Sequence, residues 1–111
     1  MLRRKLKVGI YDYPVRFVTG AIANDDGEAV LCGVARHGIA DRGILVSVDK
    51  CSDVGETLLH ECIHAVFFER DIDSLLDDAV EEHIVNQAAV GLTALLRDNP
   101  WLIGEVVRHA L

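Results

Sequence analysis

Two histidines and a glutamate in one five-residue segment have the types and the spacing of a catalytic metal site. The segment is His60-Glu61-Cys62-Ile63-His64, in a stretch with a helical pattern. Residues four apart in a helix lie on the same face, so both imidazoles can reach one metal ion. Glu61 can then reach a water on that metal and act as a base. The segment predicts a metal-dependent hydrolytic site with His60 and His64 as ligands.

The donor types favour zinc, because imidazole and carboxylate suit a borderline cation that keeps one position open for water. A catalytic zinc site has three protein ligands, so one must come from outside the segment. Cys62 is not expected to be that ligand, since it lies about 160° around the helix from His64. We interpret Cys62 as a small buried hydrophobic residue.

Several residues further along the chain are candidates for the third ligand: His83, His109, Asp71, Asp73, Asp77, Asp78, Glu81 and Glu82. Glu82 lies at the edge of an apolar stripe with helical spacing, formed by Val85, Ala89, Leu92 and Leu96. Glu81 lies nearer the middle of a second apolar stripe, where an acid needs a partner such as a metal. Whichever glutamate is not a ligand would begin a helix where the dipole favours negative charge.

The pattern of elements predicts a single α+β domain over residues 1–111. Strands are expected within residues 5–18, 29–35 and 43–48, with a turn over 20–28, giving a small antiparallel sheet. Asp53 and Glu56 form a capping box, which predicts the metal-binding helix from there to about residue 69. A second long helix should carry the glutamates over about 75–97, and a short helix should follow over 100–109.

Composition limits the partners and the compartment. The net charge of −7 speaks against a nucleic-acid partner, because phosphate binding requires clustered Lys and Arg. No apolar run approaches the length of a membrane span. The three cysteines are odd in number and form no Cys-x-x-Cys pair, so no disulfide framework is expected. A reducing compartment, and therefore the cytoplasm, is predicted.

The segment with the two histidines and the segment with Glu82 together resemble a minimal gluzincin. More narrowly, the chain is similar to the ImmA/IrrE-type peptidases and to small peptidase-like proteins of phages and prophages. In that group the fold is zincin-like and the glutamate of the second helix is the third metal ligand, so the resemblance implies a minimal zincin-like fold and such a ligand here. Glu82, Asn86 and Ala89 match the positions of that helix, whereas Val85 and Ala88 depart from its pattern. We therefore favour Glu82 as the third ligand, with Glu81 as the second choice and His83 as the third. The leucine-methionine-proline segment that often ends that helix is absent.

This resemblance implies a zinc-dependent endopeptidase that hydrolyses peptide bonds in a protein, such as a transcriptional repressor. Glu61 would activate the water, and an extended peptide would add to an exposed edge of the strand at 43–48. The donor for the oxyanion stays open among four residues: Tyr11, Tyr13, His37 and His83. The alternative function is a metal-binding regulatory or protein-interaction module with little or no peptidase activity. The shortness of the chain favours that alternative, and the presence of Glu61 opposes it.

Overall fold

The computed structural model describes residues 4–23 and 30–110, which form a small α+β unit. A one-turn 3₁₀ helix at Asp73–Leu75 joins the first two α-helices. The strands and helices in chain order are β1 (Arg4–Val8), β2 (Tyr11–Val18), β3 (Ile22–Ala23), β4 (Val30–Leu31), β5 (Gly33–Arg36), β6 (Gly43–Ser47), α1 (Val54–Glu69), α2 (Asp78–Asp98) and α3 (Leu102–His109).

The main sheet is mixed, with four strands in the order β1-β2-β6-β5. The β1–β2 and β5–β6 pairs are antiparallel, but β2 and β6 run parallel, so the prediction of an antiparallel sheet is wrong for this central pair. A parallel pair needs a long crossover, and residues 19–42 supply it. Because β6 lies between β2 and β5, it has no free edge, and the expected docking edge at 43–48 is also wrong. The outer strand on that side is β5.

The two short strands β3 and β4 form a separate antiparallel pair. β3 lies inside the segment for which a turn was predicted, residues 20–28. Residues 24–29 of that segment lie outside the described ranges. Two residues are too few to show the alternation of apolar and polar side chains that identifies a strand in a sequence.

Because Pro14 interrupts the apolar pattern, residues 5–18 were expected to form one bent strand or two short strands, and the structure has two strands that divide at Gly9. Gly9 has φ 60°, a left-handed conformation that glycine adopts without a steric penalty, and it begins the turn between β1 and β2. Pro14 lies within β2, just before the β2–β6 pairing starts at Val15 and Ile44. Its missing N–H is therefore tolerated inside an interior strand.

Alternate residues of β2 and β6 form the core beneath α1. The buried side chains of this cluster are Val8, Tyr13, Val15, Ile44, Val46 and Ala65. Helical spacing predicts an apolar side of α1 formed by Leu58, Leu59, Cys62, Ala65 and Val66, with His60, Glu61 and His64 on the other side. Leu58 and Cys62 pack against the core, as this pattern predicts. Val66 and Glu61 differ from it, because Val66 is 43% exposed and Glu61 is only 8% exposed. Glu61 therefore belongs to the buried face of the helix.

Side-chain caps fix the starts of the two long helices. Asp53 accepts a hydrogen bond from the Glu56 N–H at 3.0 Å, as the capping box predicted. Asp77 accepts from the Val80 N–H at 2.9 Å and starts α2 about three residues later than expected. Arg97 near the end of α2 contacts the Asp53 carboxylate, which ties the far end of α2 to the start of α1. The two helices thus lie against each other along the region that carries the histidines and the glutamates.

A disulfide joins Cys32, between β4 and β5, to Cys51, just before α1, with the Cα atoms 5.1 Å apart. No disulfide was expected from the sequence, because sequence spacing does not show which distant cysteines the fold brings together. Within the described residues no helix is both long and apolar enough to cross a membrane.

Gly33 allows β5 to lie close against α1. A Cβ atom at this position would lie 2.8 Å from Thr57 Cγ2 and 3.3 Å from Glu61 Cγ. Neither neighbour can move freely, because Thr57 is branched at Cβ and Glu61 is buried. Any side chain here would separate the strand from the helix at the position of Glu61.

We expect Gly33→Ala to lower the free energy of unfolding by about 1–3 kcal/mol, the usual cost of overpacking. Gly91→Ala is the matched control, since Gly91 lies in α2 and a Cβ there would meet no atom within 4 Å. The control should raise stability by about 0.5–1 kcal/mol, because alanine favours a helix. Urea denaturation measures both. Equal effects of the two substitutions would contradict the close approach of β5 to α1.

Candidate metal centre

The helical spacing brings the predicted histidines together. The ring centroids of His60 and His64 are 4.9 Å apart. Ligand-type atoms of His60, Glu61 and His64 all lie within 4.8 Å of one another, so this group could hold a metal ion. The two imidazoles are mostly buried, with side-chain exposures of 16% and 17%. The segment therefore has the clustering that its spacing predicted.

The carboxylate of Glu82 contacts both histidines from α2. Its Oε1 lies 2.9 Å from His60 Nε2, and its Oε2 lies 2.9 Å from His64 Nε2. One carboxylate thus contacts Nε2 of both histidines. The Glu82 side chain is 59% exposed, so solvent can reach this contact.

Glu81 contacts the opposite side of the His64 ring. Its Oε2 lies 2.7 Å from His64 Nδ1, and its side chain is only 15% exposed. A carboxylate in this position fixes the rotation of the imidazole and holds the proton on Nδ1. Both glutamates of the predicted pair therefore reach the histidines, but they contact different nitrogens.

The other residues considered for the site lie outside the cluster of histidines and glutamates. His83 is exposed on α2 and makes none of these contacts with the histidines. Asn86 lies one turn beyond Glu82 and lines the same cavity as His60. Cys62 packs against the core, and burial raises the pKa of its thiol above the usual value. Its position agrees with the prediction that it is not a ligand.

Glu61 lies in an apolar environment beside the histidines. Burial raises the pKa of its carboxyl from 4.5 to about 7, and the nearby His64 opposes part of that rise. The carboxylate also accepts a hydrogen bond from the Ala35 backbone N–H of β5. Glu61 is thus held between its own helix, α1, and the outer strand of the sheet, β5. Gly33, which makes this placement possible, gave no recognisable signal in the sequence.

Two open cavities adjoin the cluster; His60 lines both of them, and His64 lines the larger of the two. One, of about 230 Å³, includes Cys32, Gly33, Thr57 and Asn86 in its wall. The other, of about 370 Å³, is lined along one side by β5 and by the residues that flank it. His60, Glu61 and Glu82 line both cavities. The cluster is therefore open to molecules larger than water.

His37 is the member of the four possible oxyanion donors that lines a cavity together with His60 and His64. Its ring stacks on Phe68 with the centroids 4.4 Å apart and the planes 4° from parallel. Tyr13 is fully buried behind it and contacts its Nδ1, whereas Tyr11 lies under the guanidinium of Arg42. No feature of the sequence favoured His37 over the other three possible donors, because its neighbours in the fold lie far from it in the chain.

No family model, curated protein or solved structure matches this chain. The comparisons therefore assign this chain to no family from which a role for the two histidines and the glutamate could be taken. The resemblance to the ImmA/IrrE-type peptidases stays a prediction. Any function must be argued from the contacts within the site.

The buried Glu61 predicts a pH-dependent stability of the metal-free protein. Its pKa is higher in the folded state, about 7, than the ordinary 4.5, so its contribution to stability is complete below about pH 4.5. That contribution decreases as the pH rises through 7. Glu61→Gln does not titrate, so the variant should gain stability relative to the unmodified protein between pH 4.5 and 8. Urea denaturation in the presence of a chelator measures this difference, and a constant difference would contradict the burial of an ionisable Glu61.

Proposed function

We propose that this protein is a zinc-dependent hydrolase of peptide bonds, with His60, His64 and Glu82 holding the metal and Glu61 as the base. The observation that carries the proposal is the contact of one Glu82 carboxylate with Nε2 of both histidines. Two imidazoles and a carboxylate are the protein ligands of many catalytic zinc sites. The proposal assigns Glu81 to a supporting role, through His64 Nδ1.

The contacts among these side chains fit a metal site. A carboxylate oxygen can only accept, so each imidazole nitrogen at hydrogen-bond distance from it must carry a proton. His64 faces a carboxylate from both of its nitrogens. A divalent cation satisfies the two Nε2 atoms and the Glu82 carboxylate together without those protons. Glu81 still accepts the proton on Nδ1, as the outer partners of metal-binding histidines do.

Zinc, when bound, would polarise a carbonyl and lower the pKa of a coordinated water toward 7. Glu61 takes one proton from the attacking water at its carboxylate. It returns that proton to the leaving amine nitrogen as the C–N bond breaks. A pKa of about 7 suits both steps near neutral pH, because the group then both accepts and donates readily. Its hydrogen bond to the Ala35 N–H keeps the carboxylate in place between the two steps.

The outer strand β5 is the place where we propose that an extended peptide binds. It pairs with β6 on one side, and its residues line the cavity that also contains His60 and Glu61. A peptide that added to β5 as a further strand would place a backbone amide beside the histidines. This replaces β6, the strand that the sequence favoured, and keeps the same mode of recognition. A protein substrate such as a repressor remains an expectation from the ImmA/IrrE resemblance.

Metal analysis of the purified protein tests the assignment of ligands. We expect about one zinc ion per chain, which is lost when either His60 or His64 is replaced by alanine. Glu81→Gln should weaken zinc binding by about 10- to 100-fold, and Glu82→Gln should weaken it further. Asp78→Asn, an exposed acid in the first turn of the same helix, is the control and should bind like the unmodified protein. A greater loss with Glu81→Gln than with Glu82→Gln would exchange the roles of the two glutamates.

Turnover tests the role of Glu61. Glu61→Gln should bind zinc as the unmodified protein does, and should cleave peptides at least about 100-fold more slowly, because the proton acceptor is gone. Incubation with a random peptide library, followed by mass spectrometry of the new termini, measures cleavage without a known substrate. A Gln variant that cleaves normally would remove Glu61 from the reaction. A zinc-loaded protein that cleaves no peptide would favour the alternative of a metal-binding regulatory module.

A further inference from the structure

His37 is held by two side chains from different parts of the chain, Phe68 and Tyr13. Its ring stacks on Phe68, and its Nδ1 lies 2.9 Å from the Tyr13 hydroxyl. That hydroxyl lies 2.5 Å from Glu69 Oε2 at the end of α1. Tyr13 is fully buried, so this chain of contacts runs through the core. The ring is fixed in rotation and in position, although none of these partners belongs to the proposed metal site.

The contacts determine where the proton of His37 lies. The Tyr13 hydroxyl has one hydrogen, and the Glu69 carboxylate can only accept it. The Tyr13 oxygen must then accept from His37, so Nδ1 carries a hydrogen. Burial lowers the pKa of His37, and the nearby His64 lowers it further, so the neutral ring is favoured. A neutral imidazole has a single N–H, so Nε2 of His37 is a hydrogen-bond acceptor.

The cavity beside His37 indicates which kind of group could donate a hydrogen bond to Nε2. His37 lines the same 370 Å³ cavity as His60, His64 and Glu82, alongside the outer strand β5. With Nδ1 committed to Tyr13, Nε2 is the ring nitrogen left for a molecule in that cavity. A peptide that lies along β5 carries backbone N–H groups, and those that do not pair with the strand need an acceptor.

We propose that His37 is a substrate-contacting residue whose Nε2 accepts a hydrogen bond from an N–H group of the bound peptide, with Tyr13 and Glu69 as positioning residues. The proposal rests on the proposed function, because it places the peptide beside the metal site. It names the substrate class more closely: a secondary amide, whose N–H can donate, binds in preference to a tertiary amide such as the bond before proline. It also excludes an oxyanion-donor role for the neutral ring, which has no hydrogen on Nε2.

Imidazole nitrogen NMR of the metal-free protein tests the tautomer without any substrate. We expect His37 in the unmodified protein to carry its proton on Nδ1 alone at pH 8. Tyr13→Phe removes the acceptor for that proton, so the ring should lose its single tautomer. A His37 that carries its proton on Nε2 in the unmodified protein would overturn the proposal.

Binding of two small hydroxamates to the zinc-loaded protein tests the contact itself. Acetohydroxamate has an N–H group, whereas N-methylacetohydroxamate chelates the metal in the same way and has none. The unmodified protein should prefer the first by about fivefold, a typical effect of one hydrogen bond. His37→Phe keeps an aromatic ring against Phe68 and should lose this preference while its zinc affinity is unchanged. Isothermal titration measures all four affinities.

The outcomes separate this proposal from the function on which it rests. A preference that persists in His37→Phe, or is absent from the unmodified protein, overturns the role of His37 and leaves the metal site intact. Failure of both hydroxamates to bind the zinc-loaded protein contradicts an open metal position, and therefore the proposed function as well. A preference for acetohydroxamate that is lost in His37→Phe, together with the Nδ1 tautomer, supports both the role of His37 and the proposed function.

Discussion

The contact between the Glu82 carboxylate and the two histidines is the interaction on which the whole site depends. It joins α2 to α1 at 2.9 Å from each Nε2, and it determines which face of α2 meets the histidines. Val85 and Ala89 follow Glu82 at helical spacing and are fully buried, so the same face of α2 also makes the apolar contacts. Glu81 reaches the other side of His64 because it is the adjacent residue on the helix. The apolar packing and the glutamate–histidine contacts therefore specify the same register of α2 against α1.

Glu61 illustrates the opposite constraint, a charged group held where burial disfavours its charge. The close approach of β5 at Gly33 puts this carboxyl between strand and helix, and the Ala35 N–H compensates part of the cost of burial. A carboxyl with a raised pKa is less stable when ionised, which is typical of groups that transfer protons. The buried Tyr13 differs from Glu61, because its hydroxyl contacts both His37 and Glu69 and is therefore not left without partners. Glu61 is the position at which burial lowers stability as the pH rises.

The parts of the fold that could be predicted are those with local causes. The cap at Asp53, the spacing of His60 and His64, and the helical pattern of the glutamates are all local signals. The cap at Asp77 is also local but was not recognised, so α2 was expected to begin about three residues too early. The parallel β2–β6 pair, the Cys32–Cys51 disulfide and the position of β5 depend on contacts between distant residues, which no local pattern contains. The burial of Glu61 was missed for the same reason, since β5 covers a side of α1 that its own pattern marks as polar. His37 was named but not preferred, because its neighbours Tyr13 and Phe68 lie close to it only in the folded chain.

X-ray absorption at the zinc edge of the purified, zinc-loaded protein tests the central claim most directly, because it reports the ligands of the metal. The account predicts two imidazole nitrogens at about 2.0–2.1 Å, with the remaining ligands all oxygen, from Glu82 and solvent. Replacement of Glu82 by glutamine should change the oxygen shell and leave both imidazoles in place. A sulfur ligand at about 2.3 Å, or fewer than two imidazoles, would contradict a site made of His60, His64 and Glu82.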